Sequence, residues 1–238
     1  MDIKDLKNYG VDVVSTMAAL PYEVRKRTEE VSRRVILNCL SLLQSLRLPG
    51  LIAQEEKKLR AVDLTPIKGR GLDGDALSQI LSQVAAFAAL VRVVGEEKAR
   101  SILEEILGEM SYDIWAAQAP PAEDFRKCAD DPAEAFRAYF QATMEANRRA
   151  GVLEYDVIEE GPEAVQYDVK SCVFYDLAKL LGYPEAARHI CLADDLYFPE
   201  ECRKIGLRFV RNGTLARGDR CCDFRFESAG DSTANTEG

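Results

Sequence analysis

The sequence predicts an α+β protein, with an N-terminal helical region packed on a compact C-terminal mixed unit of helices and short antiparallel strands. Three observations carry that prediction. Apolar residues recur at three- and four-residue intervals through the first two-thirds of the chain, the signature of helices buried on one face. After Ala150-Gly151 the pattern changes to the alternation of strands. A chain of 238 residues that is 47% hydrophobic and 30% charged also has enough apolar matter for a real core.

The elements follow in order. Tyr22 to Leu46 carries Val24, Val31, Val35, Ile36, Cys39, Leu42, Leu43 and Leu46 on one expected face, and Leu48-Pro49-Gly50 is expected to end that helix. Lys68 to Gly74 reads as a glycine-rich loop. Asp75 then caps a helix over Ala76 to Val94 whose apolar face is wide enough for burial. Gly95 resets the chain before a helix over Glu96 to Met110, and Ala119-Pro120-Pro121 breaks it, with Trp115 a packing aromatic. Asp131-Pro132 opens a helix through Phe136, Tyr139, Phe140 and Met144, as an N-cap followed by Pro at the first helical position. Strands are expected over Leu153 to Ile158 and Val165 to Val169, then helices over Val173 to Leu181 and about Ala186 to Ile205. Strands over Leu207 to Ala216 and Cys221 to Glu227 close the unit. Asn212-Gly213 and Gly218-Asp219 compete for their turn, and Gly218-Asp219 leaves two full strands. The division expected is 1–74, an N-terminal helical extension; 75–150, a helical region; 151–227, a cysteine-containing α+β unit; and 228–238, a small polar tail expected to be disordered.

Charge excludes some functions. Thirty-one Lys and Arg against forty Asp and Glu give a net charge of −9, which argues against a dedicated nucleic-acid binder or an anionic-membrane binder. The longest apolar run, Val84 to Val94, is interrupted by Arg92 and too short to span a bilayer. The first residues, with Asp2, Lys4, Asp5 and Lys7, do not read as a signal peptide, so a cytoplasmic chain is expected. In a reducing compartment its seven cysteines (39, 128, 172, 191, 202, 221 and 222) read as buried thiols, metal ligands or nucleophiles. No paired CxxC zinc motif appears, and a single histidine, His189, excludes any site that needs two imidazoles.

The stretch from Tyr167 to Phe226 carries a resemblance. It runs YDVKSC, then FYDLAKLLGYPEAARHICLADD, then GLRFVRNGTLARGDRCCDFRF. A strand ending in Cys172, a helix closing at Leu181-Gly182, a C-x-x-D unit at Cys191 and Asp194, and an ending from Thr214 to Phe226 come in that order. The combination resembles the L-2-amino-thiazoline-4-carboxylic acid hydrolases. Val94 to Ala99 and Ala133 to Tyr139 are also similar, so the match covers about residues 90 to 227. The resemblance implies an enzyme that opens a small cyclic amidine. Water adds at the carbon held by two nitrogens and a sulfur, and the carbon–sulfur bond breaks to give an N-carbamoyl cysteine. That chemistry needs a nucleophile, a carboxylate for the cationic amidine, an acid for the leaving group and a cation for the substrate carboxylate.

Each candidate has two readings. Cys172 stands where a strand meets a helix, whose free amides lower a thiol pKa, or it is a small core residue. Cys191 and Asp194, three apart on a helix, supply a thiol and a carboxylate to one site, or they are a core cysteine beside a solvated acid. Asp194 is expected to face the same cavity as Cys191 and to matter more than Asp195. Alternation puts Cys222 on the core side with Phe224 and Phe226. Asp223 and Arg225 on the other face are catalytic or a cross-strand ion-pair surface. Arg211 and Thr214 anchor a substrate carboxylate, or are surface. His189 pairs with Glu185 or acts as a base, and Cys39, Cys128 and Cys202 are structural. Cys172, Cys191 and Cys222 are expected to cluster, with Cys39 and Cys128 apart. If they do, three thiolates with Asp194 or Asp223 also offer a divalent-metal site, although nothing in the sequence requires a cofactor. The partner expected is a small molecule, with no nucleic acid and no membrane, and the oligomeric state is open. The competing class is a non-catalytic small-molecule or metal sensor that uses the same cysteine-lined cavity, and a third is a scaffold with cysteines as core filler.

Overall fold

The computed structural model describes residues 20–72 and 74–229. It is α+β, with helices first and an antiparallel sheet toward the C-terminal end. Helices α1 (Tyr22–Cys39), α2 (Leu42–Leu59), α3 (Gly74–Val94) and α4 (Glu96–Ala116) lead into a short α5 (Ala122–Cys128) and α6 (Pro132–Arg149). The hairpin β1 (Leu153–Glu160) and β2 (Ala164–Cys172) follows, then α7 (Val173–Leu180) and α8 (Arg188–Lys204), and finally β3 (Leu207–Val210) and β4 (Cys222–Ser228). The strand order is β1-β2-β4-β3, with every neighbouring pair antiparallel. The expected tail from Ser228 lies, beyond Ala229, outside the described residues, as does residue 73 within the expected glycine-rich loop.

The first helix breaks earlier than the sequence predicts. Ser41 ends the run with a capping box: its Oγ accepts the Gln44 amide at 3.4 Å, and Gln44 Oε1 accepts the Ser41 amide at 2.9 Å. The new helix then runs through Pro49, because burying Leu48 and Leu59 offsets the lost intrahelical bond and the crowding of the carbonyl four residues back. Leu42, Leu43 and Leu46, expected on the buried face, therefore stand exposed. Asp131 caps α6 as expected, accepting the Ala133 and Glu134 amides at 2.9 and 3.0 Å. The glycine-rich loop is pinned to the end of α6: a side chain on Gly71 (φ 57°) would meet the Ala150 carbonyl oxygen at 2.5 Å.

Two apolar cores form. Among the described residues α3 alone is long and apolar enough to cross a membrane, and it is the centre of the first core, with Val84, Phe87 and Leu90 buried against α1, α2 and α4. The second core is aromatic and lies under the sheet, where Phe136 and Phe140 of α6 meet Phe198 of α8 and Phe226 of β4. The Phe140 and Phe226 ring centroids are 4.4 Å apart. Cys191 and Ala216 border the first core, Cys172 and Cys222 the second, and Tyr175 touches both. The candidate residues thus collect along the seam between the cores.

The return strand is shorter than expected. β3 ends at Val210, and 211–221 form a loop with a 3-10 turn at Leu215–Arg217 closed by Gly218 in the left-handed region (φ 89°). Side-chain carboxylates replace a partner strand there. Asp223 accepts the Asn212 and Gly213 amides, and Asp219 Oδ2 accepts the Thr214 amide at 2.8 Å. With its backbone donors satisfied in this way, the loop has no need to extend the ladder.

Candidate active site

The first turns of α8 and the start of β4 face each other across the 211–221 loop. Helical spacing puts Cys191, Asp194 and Asp195 on one side of α8, three and four residues apart. Arg211, the first residue after β3, joins them. Its side chain is 1% exposed. Nη1 donates to Asp194 Oδ2 at 2.8 Å, Nη2 lies 2.7 Å from Asp195 Oδ1, and Nη2 also donates to the Cys191 carbonyl. The guanidinium stacks over the Phe224 ring, 5.0 Å from its centroid. With its side chain enclosed and held by two carboxylates and a carbonyl of α8, Arg211 positions α8 rather than reaching a substrate carboxylate. Asp194 is pulled two ways. Burial pushes its carboxyl up, the Arg211 charge holds it down, and the outcome is a raised value of about 6. Asp194 is buried behind Arg211, and Asp195 is the carboxylate that borders the open cleft.

Cys191 and Cys222 form a hydrogen-bonded thiol pair, with Cys191 the donor and Cys222 the acceptor. The Leu215 amide donates to Cys222 Sγ at 3.2 Å, and the Arg211 charge lies near. These donors, the Cys191 thiol first, hold Cys222 below the usual thiol range despite its burial, and the same bond pushes Cys191 up. When the pair loses a proton, the charge is therefore favoured on Cys222 over Cys191. Cys191 borders the cleft, whereas Cys222 sits beneath it, 5% exposed.

The cleft has a volume of about 120 Å³. That is far below the ~300–1,000 Å³ of drug-sized pockets and so suits a small ligand. Its walls are Arg100 and Glu104 of α4, Arg188, Cys191, Leu192 and Asp195 of α8, and Thr214 and Arg217 of the loop. Three guanidinium groups, of Arg100, Arg188 and Arg217, face the cleft alongside the carboxylates of Glu104 and Asp195, and Glu185 and Asp219 pair with them from behind. Arg188 pairs with Glu185 at 2.9 Å, and Arg217 Nη2 donates to the Asn212 carbonyl at 2.8 Å, which aims both. Sequence reasoning missed these arginines. Arg188 and Arg217 flank the motif segments and could have been found there, but Arg100 and Glu104 look like an ordinary solvated helix face.

The remaining candidates have other surroundings. Cys172 does start α7, and the Phe174 and Tyr175 amides pull its thiol down, but burial dominates and pushes it up to about 12. It lies near enough to feel Cys222 but is not part of the Cys191–Cys222 pair; Cys39 lies by Glu105 and Cys128 by Phe125. Asp223 accepts the Asn212 amide at 3.0 and 3.2 Å, Asn212 Nδ2 at 3.1 Å and the Gly213 amide at 2.6 Å, so its oxygens brace the loop. Arg225 pairs with Glu159 and Glu227, the ion-pair surface that alternation allows. Thr214 is 1% exposed and its Oγ accepts the Arg217 amide at 3.3 Å, which shapes the cleft edge. The His189 side chain, expected against Glu185, lies outside what the structure describes. Among the described residues no three His, Cys, Asp or Glu side chains are grouped to hold a metal ion.

The family model for L-2-amino-thiazoline-4-carboxylic acid hydrolase matches residues 76–226, from the start of α3 to the middle of β4. The chain belongs to the ATC hydrolase family. The match includes every wall of the cleft and both paired thiols, and it leaves out α1 and α2. The family's name points to a hydrolase. Among curated proteins none matches the chain.

Proposed function

We propose that this chain hydrolyses a small cyclic amidine bearing a carboxylate, of the 2-aminothiazoline-4-carboxylate type, to an N-carbamoyl cysteine. The observation that carries this is the Cys191–Cys222 thiol pair, with the Leu215 amide on Cys222, at the edge of a small cleft lined by arginines and carboxylates. Arg188, Arg217 and Arg100 are placed to receive the substrate carboxylate, and Asp195 the amidinium. Cys191 is the accessible sulfur, so it attacks the amidinium carbon while its proton passes to Cys222. The ring carbon–sulfur bond then breaks, the electron pair stays on the leaving sulfur, and Cys222 returns the proton to it. Water adds to the isothiouronium carbon left on Cys191. The bond to Cys191 then breaks, its sulfur takes a proton, and the urea is released. The net reaction consumes one water. The acidic charge balance and seven free thiols support a cytoplasmic setting with no nucleic-acid partner.

The test is turnover of 2-aminothiazoline-4-carboxylate by the purified chain, with release of free thiol followed over time and metal content measured on the same sample. Ring opening by the parent and none by Cys191→Ser at an unchanged melting temperature is the expected result. Tight binding of the compound without ring opening would favour the sensor reading of the same cavity.

A further inference from the structure

The seven free thiols differ in what each one touches. Cys39 lies by the Glu105 carboxylate, Cys128 by the Phe125 carbonyl, and Cys221 donates to Asp168 on the outer side of its strand. Cys202 is fully buried beside Glu201, and Cys172 is buried under the Phe174 and Tyr175 amides. Cys191 and Cys222 alone are in hydrogen-bond contact with another sulfur.

That pair joins two elements. Cys191 belongs to the first turns of α8 and Cys222 is the first residue of β4, so the sulfurs can close on each other by side-chain rotation at the two element starts. Access is one-sided. Cys191 borders the cleft of about 120 Å³, and Cys222 lies behind it, 5% exposed and held by the Leu215 amide at 3.2 Å. A cleft of that volume admits an oxidant of a few atoms. A reactive sulfur at the opening with a second thiol waiting behind it is the arrangement of a reversible oxidation site, in which the second thiol closes a bridge before oxidation runs further.

We infer that a small hydroperoxide entering the cleft oxidises Cys191 and Cys222 to a reversible disulfide. The Cys191 sulfur attacks one peroxide oxygen while its proton passes to Cys222, and the oxygen–oxygen bond breaks. The departing hydroxide takes that proton from Cys222 and leaves as water. Cys191 is now a sulfenic acid. The Cys222 thiolate attacks its sulfur, the sulfur–sulfur bond forms, and hydroxide leaves and takes a proton from solvent. Two thiols are oxidised and one hydrogen peroxide is reduced to two waters. Arg188 and Arg217, on the same cleft wall as Cys191, are placed to donate to the departing oxygen. The bridge ties the start of α8 to β4 and removes the accessible thiol. Its effect on turnover rests on the proposed ring opening, whereas the bridge itself rests only on the pair.

The test treats the reduced full chain with a few equivalents of hydrogen peroxide at neutral pH and reads intact mass and non-reduced peptide fragments. The expected product has lost two hydrogens, with fragment ions placing the bridge between Cys191 rather than Cys202 and Cys222 rather than Cys221. Cys172→Ser should form the same bridge, and Cys191→Ser should form none. The bridged chain should keep less than about one-hundredth of the parent's ring-opening rate until a dithiol reductant restores it. No bridge, a bridge that uses Cys172, or Cys191 carried straight to its sulfinic acid overturns the inference. A chain that bridges and opens no ring upholds the oxidation site and sinks the proposed reaction. One that opens the ring and never bridges does the reverse.

Discussion

Cys172 and the Cys191–Cys222 pair lie within electrostatic reach of each other, yet the fold treats them in opposite ways. Cys172 has what sequence reasoning prizes, a place at the start of a helix with two amides nearby, and its thiol is still pushed up to about 12. Cys222 opens β4 opposite Val169, with no helix start, and is held below the usual thiol range. A few weak partial charges do not make up for lost water, whereas a thiol donor, an amide at 3.2 Å and a buried guanidinium together do. The lesson is that a reactive thiol is recognised by its donors more than by its secondary structure.

The widest gap should appear in turnover. Cys191→Ser or Cys222→Ser should lower kcat by roughly 10³-fold or more, and the double variant should lose little beyond either single one, since the two act as a unit. Cys172→Ser should stay within about tenfold of the parent. Iodoacetamide mapping at neutral pH should label the pair before Cys172, and the reverse order would break the comparison. Next in size is Arg211→Met, which leaves Asp194 buried beside an apolar chain and should cost roughly 3–5 kcal/mol of stability by denaturant titration. Adding Asp194→Asn should restore part of that loss.

The Asp194 carboxyl then gives a pH signature. Its folded value of about 6 lies above the ordinary carboxylate value, so the folded state holds the proton more tightly than the unfolded chain. Its contribution to stability is therefore full below about pH 4 and lost as pH rises through about 6, amounting to roughly 3 kcal/mol. Asp194→Asn should remove that slope from the melting temperature plotted against pH, and an unchanged slope would assign it to another group. The smallest effect expected is that of Arg217→Ala. It should raise KM for a carboxylate substrate about tenfold with kcat nearly unchanged, because the arginine holds substrate and transition state alike.

Much of the fold was legible because periodicity reports burial directly. The helices over 76–94 and 132–149 and the hairpin over 153–172 follow from it, with α4 extending beyond its expected end to Ala116. The misses have local causes. Ser41, with Gln44 three residues on, carried a capping-box signal that Pro49 overshadowed, although an interior proline is tolerated where the turns around it are buried. The ladder was expected to continue to Ala216 because nothing in a strand pattern says that Asp219 and Asp223 will take the loop's amides. At the site the motif located the three thiols and Asp194. It did not reveal that Arg211 is enclosed, that Asp223 is a brace, or that Arg100 arrives from a helix ninety residues upstream of Cys191.

Arg211 has one more consequence, for motion. All three of its polar partners, the Cys191 carbonyl and the carboxylates of Asp194 and Asp195, belong to the opening turns of α8. One guanidinium therefore ties the start of the helix to the head of the 211–221 loop, which Asp219 and Asp223 brace further along. The start of the helix and the cleft wall are expected to open together. Amide hydrogen exchange should show the early amides of α8 and those of Thr214 to Arg217 exchanging at a common rate, faster than the aromatic core beneath them.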